Sequence, residues 1–105
     1  VSSMIWGSQY DAMMNWMAKN GKTVGDSNSS NTNNSYTTGS KSTDVVNNVY
    51  DLYGCHREWT LEACLSNSRA LRGGYSGYSS PAIRGNYYPG NTNSNYSSRA
   101  ALYIE

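Results

Sequence analysis

The sequence predicts a small α+β domain with one helix, short twisted strands and long irregular loops. Apolar side chains recur at helical spacing near the start of the chain, and polar and apolar residues alternate past its middle. Only 37% of the 105 residues are hydrophobic, and ten residues are Tyr. Apolar material therefore suffices for one modest core and leaves much of the chain to loops.

The helix is predicted over residues 9–19. Ser8 is the expected N-cap, with Asp11 in the acidic position of a capping box, and Asn20-Gly21 supplies the C-terminal stop. A stripe of side chains at i, i+3, i+4 and i+7 indicates one face that packs on the core. The stripe consists of Tyr10, Met13, Met14 and Met17.

A polar stretch over residues 24–43 is predicted to be a long surface loop. Asp26, Asn28 and Asn31 offer oxygen ligands for calcium, but their spacing matches no cation-binding loop, so we interpret them as turn residues. For residues 44–54 the sequence does not decide between a helix and a strand. The apolar spacing fits a helix, whereas the valines and paired asparagines fit a helix poorly.

Three later stretches are predicted to be strands. Residues 58–63 alternate in polarity, which directs Trp59 and Leu61 inward, and residues 69–72 and 99–104 are strand-like. The predicted core comprises Met13, Met17, Trp59, Leu61, Leu71, Leu102 and Ile104.

The segment over residues 73–98 has an unusual composition. Gly, Tyr, Asn and Ser make up 20 of its 26 residues, and Arg84 is its one charged residue. Tyr supplies rigid contact area, and Ser, Gly and Asn supply adaptable hydrogen bonds, as in evolved binding loops. A disordered tail is the alternative, but the density of aromatics and the apolar run over residues 100–104 favour an ordered segment.

Charge and cysteine content exclude several classes of function. The net charge of +1, with no cluster of basic residues, argues against binding to nucleic acid or a membrane surface. No apolar run approaches the roughly 20 residues of a membrane span. Cys55 and Cys64 permit one disulfide, and the sequence leaves open whether it forms. His56 is the single histidine, so we expect no metal site and no cofactor.

Four motifs in order resemble the formylglycine-generating-enzyme (sulfatase-modifying-factor) superfamily. VYDLYGCHREWT resembles its N-[VL]-Y-D-[ML]-x-G-N-V-W-E-W-T signature, and SRALRGG resembles its R-V-x-R-G-G strand. SQYDAMMNWMA stands where that family has its E-x-x-W-E-x-A helix, and SSRAALYI resembles the closing strand. The resemblance touches most of the chain and implies a C-type-lectin-like fold.

The enzyme branch of that superfamily uses a pair of redox-active cysteines late in the domain. No cysteine follows Cys64 here, so we expect the chain not to be an enzyme. The segment after Arg72-Gly73-Gly74 instead resembles the variable proteins of diversity-generating retroelements, in which mutated Asn codons yield Tyr, Ser, Gly and other residues. Such proteins are receptor-binding proteins of bacterial surfaces, pili or phage tails, which implies an extracellular location.

We therefore expect one lectin-like domain over residues 1–105, the C-terminal domain of a longer protein, with a variable ligand-binding loop region at residues 73–98. Its expected partner is a protein or a surface polysaccharide, and its oligomeric state is left open. His56 and Arg57 would extend the binding face. The predicted contact residues are His56, Arg57, Tyr75, Tyr78, Ile83, Arg84, Asn86, Tyr87, Tyr88, Asn91, Asn93 and Tyr96.

Two other functions remain as alternatives. The chain would be an enzyme of the parent superfamily if Cys55 or Cys64 were a reactive, low-pKa thiol. It would be a structural domain of a surface protein if the clustered Tyr side chains were buried in an interface between identical copies.

Overall fold

A computed structural model describes residues 1–20, 37–40, 42, 45–52, 56–73, 84–94 and 96–102. The described residues form one α-helix and eight β-strands, which confirms the prediction of an α+β fold. The described part of the chain contains no helix with the length and hydrophobicity that a membrane span requires. In chain order the elements are β1 (Ser2–Met4), α1 (Gly7–Lys19), β2 (Val45–Val46), β3 (Val49–Tyr50), β4 (Arg57–Leu65), β5 (Ser68–Arg72), β6 (Arg84–Tyr87), β7 (Tyr96–Ser98) and β8 (Ala100–Leu102).

The largest sheet has four strands in the order β6-β5-β4-β7. Strands β4, β5 and β6 are antiparallel neighbours, and β7 runs parallel to β4. Strands β1 and β8 form a separate antiparallel pair. Ile5 connects this pair to the main sheet, because its carbonyl accepts a hydrogen bond of 3.0 Å from the Leu61 N–H of β4.

The helix begins at Gly7, two residues before the predicted start, and its N-cap is Trp6 rather than Ser8. The backbone N–H of Trp6 donates to the Gln9 side chain over 2.8 Å. A side chain at Gly7 would overlap the carboxylate of Glu62 where the first helical turn packs against β4, so the Glu62 side chain would have to move. Asp11 does not cap the helix but forms an ion pair with Arg72. Contacts with the sheet therefore outweigh the local capping signal.

The core lies between the helix and the segments around β2 and β3. Tyr10 and Met17 are fully buried, and Ile5, Val46 and Leu52 complete the buried cluster. Met13 and Met14 pack against this cluster, which confirms the predicted apolar face of the helix.

The hydroxyl of Tyr10 is the main polar group of this core. It donates to the Leu52 carbonyl over 2.9 Å. Burial and the negative charge of Glu58 raise the pKa of Tyr10 well above the usual range, although Arg72 and Arg99 oppose the shift. The phenol therefore remains neutral at physiological pH and keeps its hydrogen bond.

Residues 45–50 form a β-hairpin, which settles that part of the ambiguous stretch in favour of strands. Val45 pairs with Tyr50 and Val46 pairs with Val49. The two connecting residues, Asn47 and Asn48, have φ values of 49° and 63°. Two positive φ angles in a two-residue loop are typical of a type I′ turn, and Asn tolerates this conformation better than most residues.

Strand β4 departs from the predicted pattern of burial. Trp59 and Leu61 are only half-buried, whereas Thr60 is almost fully buried. The pairing register shifts between Trp59 and Ala63, so the local alternation no longer follows a flat strand. The Thr60 hydroxyl donates to the Ala70 carbonyl over 2.9 Å, which satisfies a backbone group that an irregular ladder would otherwise leave unpaired.

The predicted core list is therefore partly wrong. Leu71 and Met17 are buried as expected, but Leu102 is 79% exposed on the short strand β8. Ile104 lies outside the described residues, as do Cys55, the three calcium candidates and most of the predicted loop over residues 24–43.

Candidate ligand-binding surface

The Tyr/Asn/Ser/Gly-rich segment contains two strands of the main sheet, where the sequence predicted loops alone. β6 forms the edge beside β5, with Arg84 opposite Arg72 and Tyr87 opposite Arg69. β7 lies beside β4 at the other edge, with Tyr96 opposite Arg57. Tyr has a high β-propensity, and these short stretches gain ladder hydrogen bonds by joining the sheet. The candidate contact residues are therefore anchored at both ends.

Three aromatic rings and one guanidinium group cover one side of this sheet. The ring centroids of Trp59 and Tyr96 are 5.6 Å apart at an angle of 81°, and those of Tyr87 and Tyr96 are also 5.6 Å apart. Arg57 places its guanidinium carbon 5.9 Å from the centre of the Tyr87 ring and donates to the Tyr87 hydroxyl over 3.3 Å. We call these four residues the aromatic cluster; it fixes both strands of the segment against β4.

Gly85 is the position that lets Arg57 reach Tyr87 across the sheet. A Cβ at Gly85 would lie 3.1 Å from Nη1 of Arg57 and 3.0 Å from the Tyr87 ring. Arg57 itself is buried. Its contribution to a binding face is therefore to hold the Tyr87 ring, not to offer its own surface.

The connection between β6 and β7 is exposed along the whole of residues 88–94, which we call the exposed turn. Tyr88 is 58% exposed. Backbone hydrogen bonds hold the shape of the turn: the Asn91 N–H donates to the Tyr88 carbonyl over 2.9 Å, and the Tyr96 N–H donates to the Asn93 carbonyl over 3.1 Å. The side chains of Tyr88, Asn91 and Asn93 face solvent, and so does that of Asn86 on β6.

Arg84 lies on the opposite side of β6, against the helix. Its Nε is 3.2 Å from Glu62 and its Nη2 is 3.7 Å from Asp11. Arg72, which is almost fully buried, approaches the same two carboxylates and lies 4.7 Å over the Tyr10 ring. Arg84 therefore has structural ion partners while half of its side chain stays exposed.

His56 lines a polar groove of about 450 Å³ near the start of β4. Ser97 and Ser98 of β7 line the same groove, so His56 does lie beside the C-terminal segment. The groove also contains Glu58, whose two carboxylate oxygens accept hydrogen bonds of 2.7 and 3.0 Å from Arg99. Burial tends to lower the pKa of Arg99, but its hydrogen bonds to Glu58 and the charge of Glu58 outweigh burial and raise that pKa.

The structure thus divides the predicted contact residues into separate groups. Arg57, Tyr87 and Tyr96 meet in the aromatic cluster, the exposed turn carries three others, and Arg84 and His56 lie apart from both. Tyr75, Tyr78 and Ile83 lie outside the described residues. Sequence reasoning missed Trp59 as a surface aromatic and Arg99 as the partner of a buried acid. An arginine directly before an apolar strand was the available signal for Arg99.

Cys64 has a half-buried free thiol in the described part of the chain, and Cys55, the other half of the disulfide left open above, lies outside it. Among the described residues, no group of three or more His, Cys, Asp or Glu side chains is arranged to hold a metal ion.

Comparison with protein-family models, with curated proteins and with solved structures found no match to this chain.

Proposed function

We propose that this chain is a ligand-binding domain that presents a diversified surface for recognition or adhesion. The observation that carries the proposal is the exposed turn between β6 and β7, with Tyr88, Asn91 and Asn93 in solvent and both flanking strands in the main sheet. Binding residues on loops that a rigid scaffold positions are a common arrangement in recognition proteins.

The division between the aromatic cluster and the exposed turn supports this function. The Tyr96 ring packs against the rings of Trp59 and Tyr87, so Tyr87 and Tyr96 stabilise the strands. Tyr88 and the neighbouring asparagines are exposed, so substitutions there are expected to cost little stability. A surface whose composition can change without loss of stability is what a diversified binder requires.

Within this proposal, the fold is C-type-lectin-like and the chain is a variable protein of a diversity-generating retroelement. It would act on a bacterial surface, a pilus or a phage tail, where many copies on one particle add avidity to weak single contacts. Its ligand would be a protein or a surface polysaccharide, and no chemical reaction is involved.

A binding array tests the proposal. The chain is labelled and applied to arrayed purified bacterial surface proteins and polysaccharides, together with a turn variant that carries Asn86→Ala, Tyr88→Ala, Asn91→Ala and Asn93→Ala. Since single Tyr hot spots contribute about 2 kcal/mol, the four changes are expected to weaken binding of any specific ligand by about 100-fold or more. Circular dichroism is expected to show an unchanged fold.

A matched control changes four exposed positions of the helix instead, with Ala12→Ser, Asn15→Ala, Trp16→Ala and Lys19→Ala. This helix variant is expected to bind the same ligand as the original chain. A ligand that the turn variant binds at full affinity, or that the helix variant alone loses, would contradict the proposal.

A further inference from the structure

An apolar groove lies at the foot of the exposed turn. It has a volume of about 300 Å³, at the lower end of the range for ligand pockets. Strands β1, β4 and β5 supply most of its walls, and one residue of the exposed turn completes it. The lining residues are Met4, Trp59, Thr60, Leu61, Arg69 and Pro89.

We infer that this groove binds an apolar side chain of a protein ligand, and that an acidic group next to this side chain pairs with Arg69. The inference rests on the proposed function and deepens it, because it selects protein over polysaccharide as the ligand class. Pro89 belongs both to the groove and to the exposed turn, so one ligand can contact the two together.

The apolar walls of the groove are only partly covered by the rest of the chain. Trp59 and Leu61 are large apolar side chains on β4, yet both are only half-buried. Their remaining exposed area lies in a concave surface, where an inserted apolar group can remove it from water. Trp59 is also held in place by its edge contact with Tyr96, so the wall is formed before a ligand arrives.

The described walls of the groove offer a ligand few hydrogen-bonding groups. Among the described lining residues Thr60 is the one with a hydroxyl, and that hydroxyl already donates to the Ala70 carbonyl and accepts from the Glu62 N–H. Among these side chains only Arg69 and the Trp59 indole can donate a further hydrogen bond, so most hydroxyls of a saccharide would lose hydrogen bonds to water without regaining them here. This disfavours a polysaccharide and favours an apolar side chain.

Arg69 gives the groove a positive charge. Its Nη1 donates to the Ser68 carbonyl over 3.0 Å, and it forms no ion pair within the described part of the chain. By contrast, Arg72, Arg84 and Arg99 each face a carboxylate. A guanidinium group without a carboxylate at the rim of an apolar groove is complementary to an acidic residue of a partner.

Two peptides that differ only in charge test the inference by NMR titration of the ¹⁵N-labelled chain. The probes are acetyl-Asp-Trp-amide and acetyl-Asn-Trp-amide. Shift changes are expected at the Trp59 indole N–H and the Leu61 amide, and the Asp peptide is expected to bind several-fold more tightly at low salt. In Arg69→Gln this difference is expected to vanish, and in Arg69→Lys it is expected to persist in part.

Arg84→Gln serves as the control, because it removes a charge from the other side of the sheet and should leave the preference for Asp intact. Shift changes outside the groove, equal affinity of the two peptides, or a preference that survives Arg69→Gln would overturn the inference. The proposed function has its own test, which is the turn variant. The four substitutions of that variant leave all groove residues in place, so failure of the proposed function can be distinguished from failure of this inference.

Discussion

Replacing Arg99 with Met is expected to lower the free energy of unfolding by about 3 kcal/mol, because it leaves a buried carboxylate without its partner. Glu58 is only 5% exposed, and Arg99 donates to both of its carboxylate oxygens. The substitution also removes the 2.8 Å hydrogen bond from Arg99 to the Tyr50 carbonyl. Urea denaturation of the two proteins measures the difference.

Two further variants separate the buried ion pair from a general loss of charge. Adding Glu58→Gln to Arg99→Met removes the carboxylate that has lost its partner, and this double substitution is expected to recover part of the lost stability. Arg84→Met removes a half-exposed guanidinium and is expected to lower stability by less than about 1 kcal/mol. If Arg99→Met is no more destabilising than Arg84→Met, Glu58 does not depend on Arg99.

Gly73→Ala is expected to lower the free energy of unfolding by about 2 kcal/mol, because two effects add at this residue. Its φ of 92° is in a region that side chains rarely adopt, and a Cβ there would lie 3.1 Å from the Tyr10 hydroxyl and 3.3 Å from the Leu52 carbonyl. These two groups share the hydrogen bond at the centre of the core. Thermal melting at neutral pH measures the loss.

Gly90→Ala is the matched control in the same chain. Gly90 has no positive φ of this kind, and a Cβ there meets no atom within 4 Å. Its effect is expected to stay within about 0.5 kcal/mol. Equal melting temperatures for the two alanine variants would show that Gly73 is not under conformational constraint.

The parts of the fold that follow local periodicity could be predicted from the sequence. The stripe from Tyr10 to Met17 identified the buried side of the helix, and the strands around Trp59 and Leu71 were located within a few residues. The start of the helix could not be predicted, because the first helical turn at Gly7 lies against Glu62 of a strand that is distant in sequence. Burial along β4 could not be predicted either, because a register shift interrupts its alternation.

The candidate site could likewise be predicted only in part from the sequence. Composition alone directed attention to residues 73–98, and the exposed turn lies within them. Composition could not separate Tyr88, which is exposed, from Tyr96, whose ring packs on Trp59. Nor could it assign Arg57 to the interior, since the contact that holds it crosses from β4 to Tyr87 on β6. These distinctions depend on pairings between strands that are distant in sequence.

The most direct test of the diversified-binder account is the DNA sequence around the coding region. We expect a near-copy of the codons for residues 73–98 that differs only at adenines, beside a reverse-transcriptase gene. At the exposed positions, the codon for Tyr88 is expected to differ from an Asn codon in the copy, whereas the codons for Asn86, Asn91 and Asn93 are expected to retain the Asn codons of the copy. The codon for Gly85 is expected to match because Arg57 and Tyr87 pack over it. The absence of such a copy from complete flanking sequence, or mismatches that avoid the exposed turn, would contradict the account.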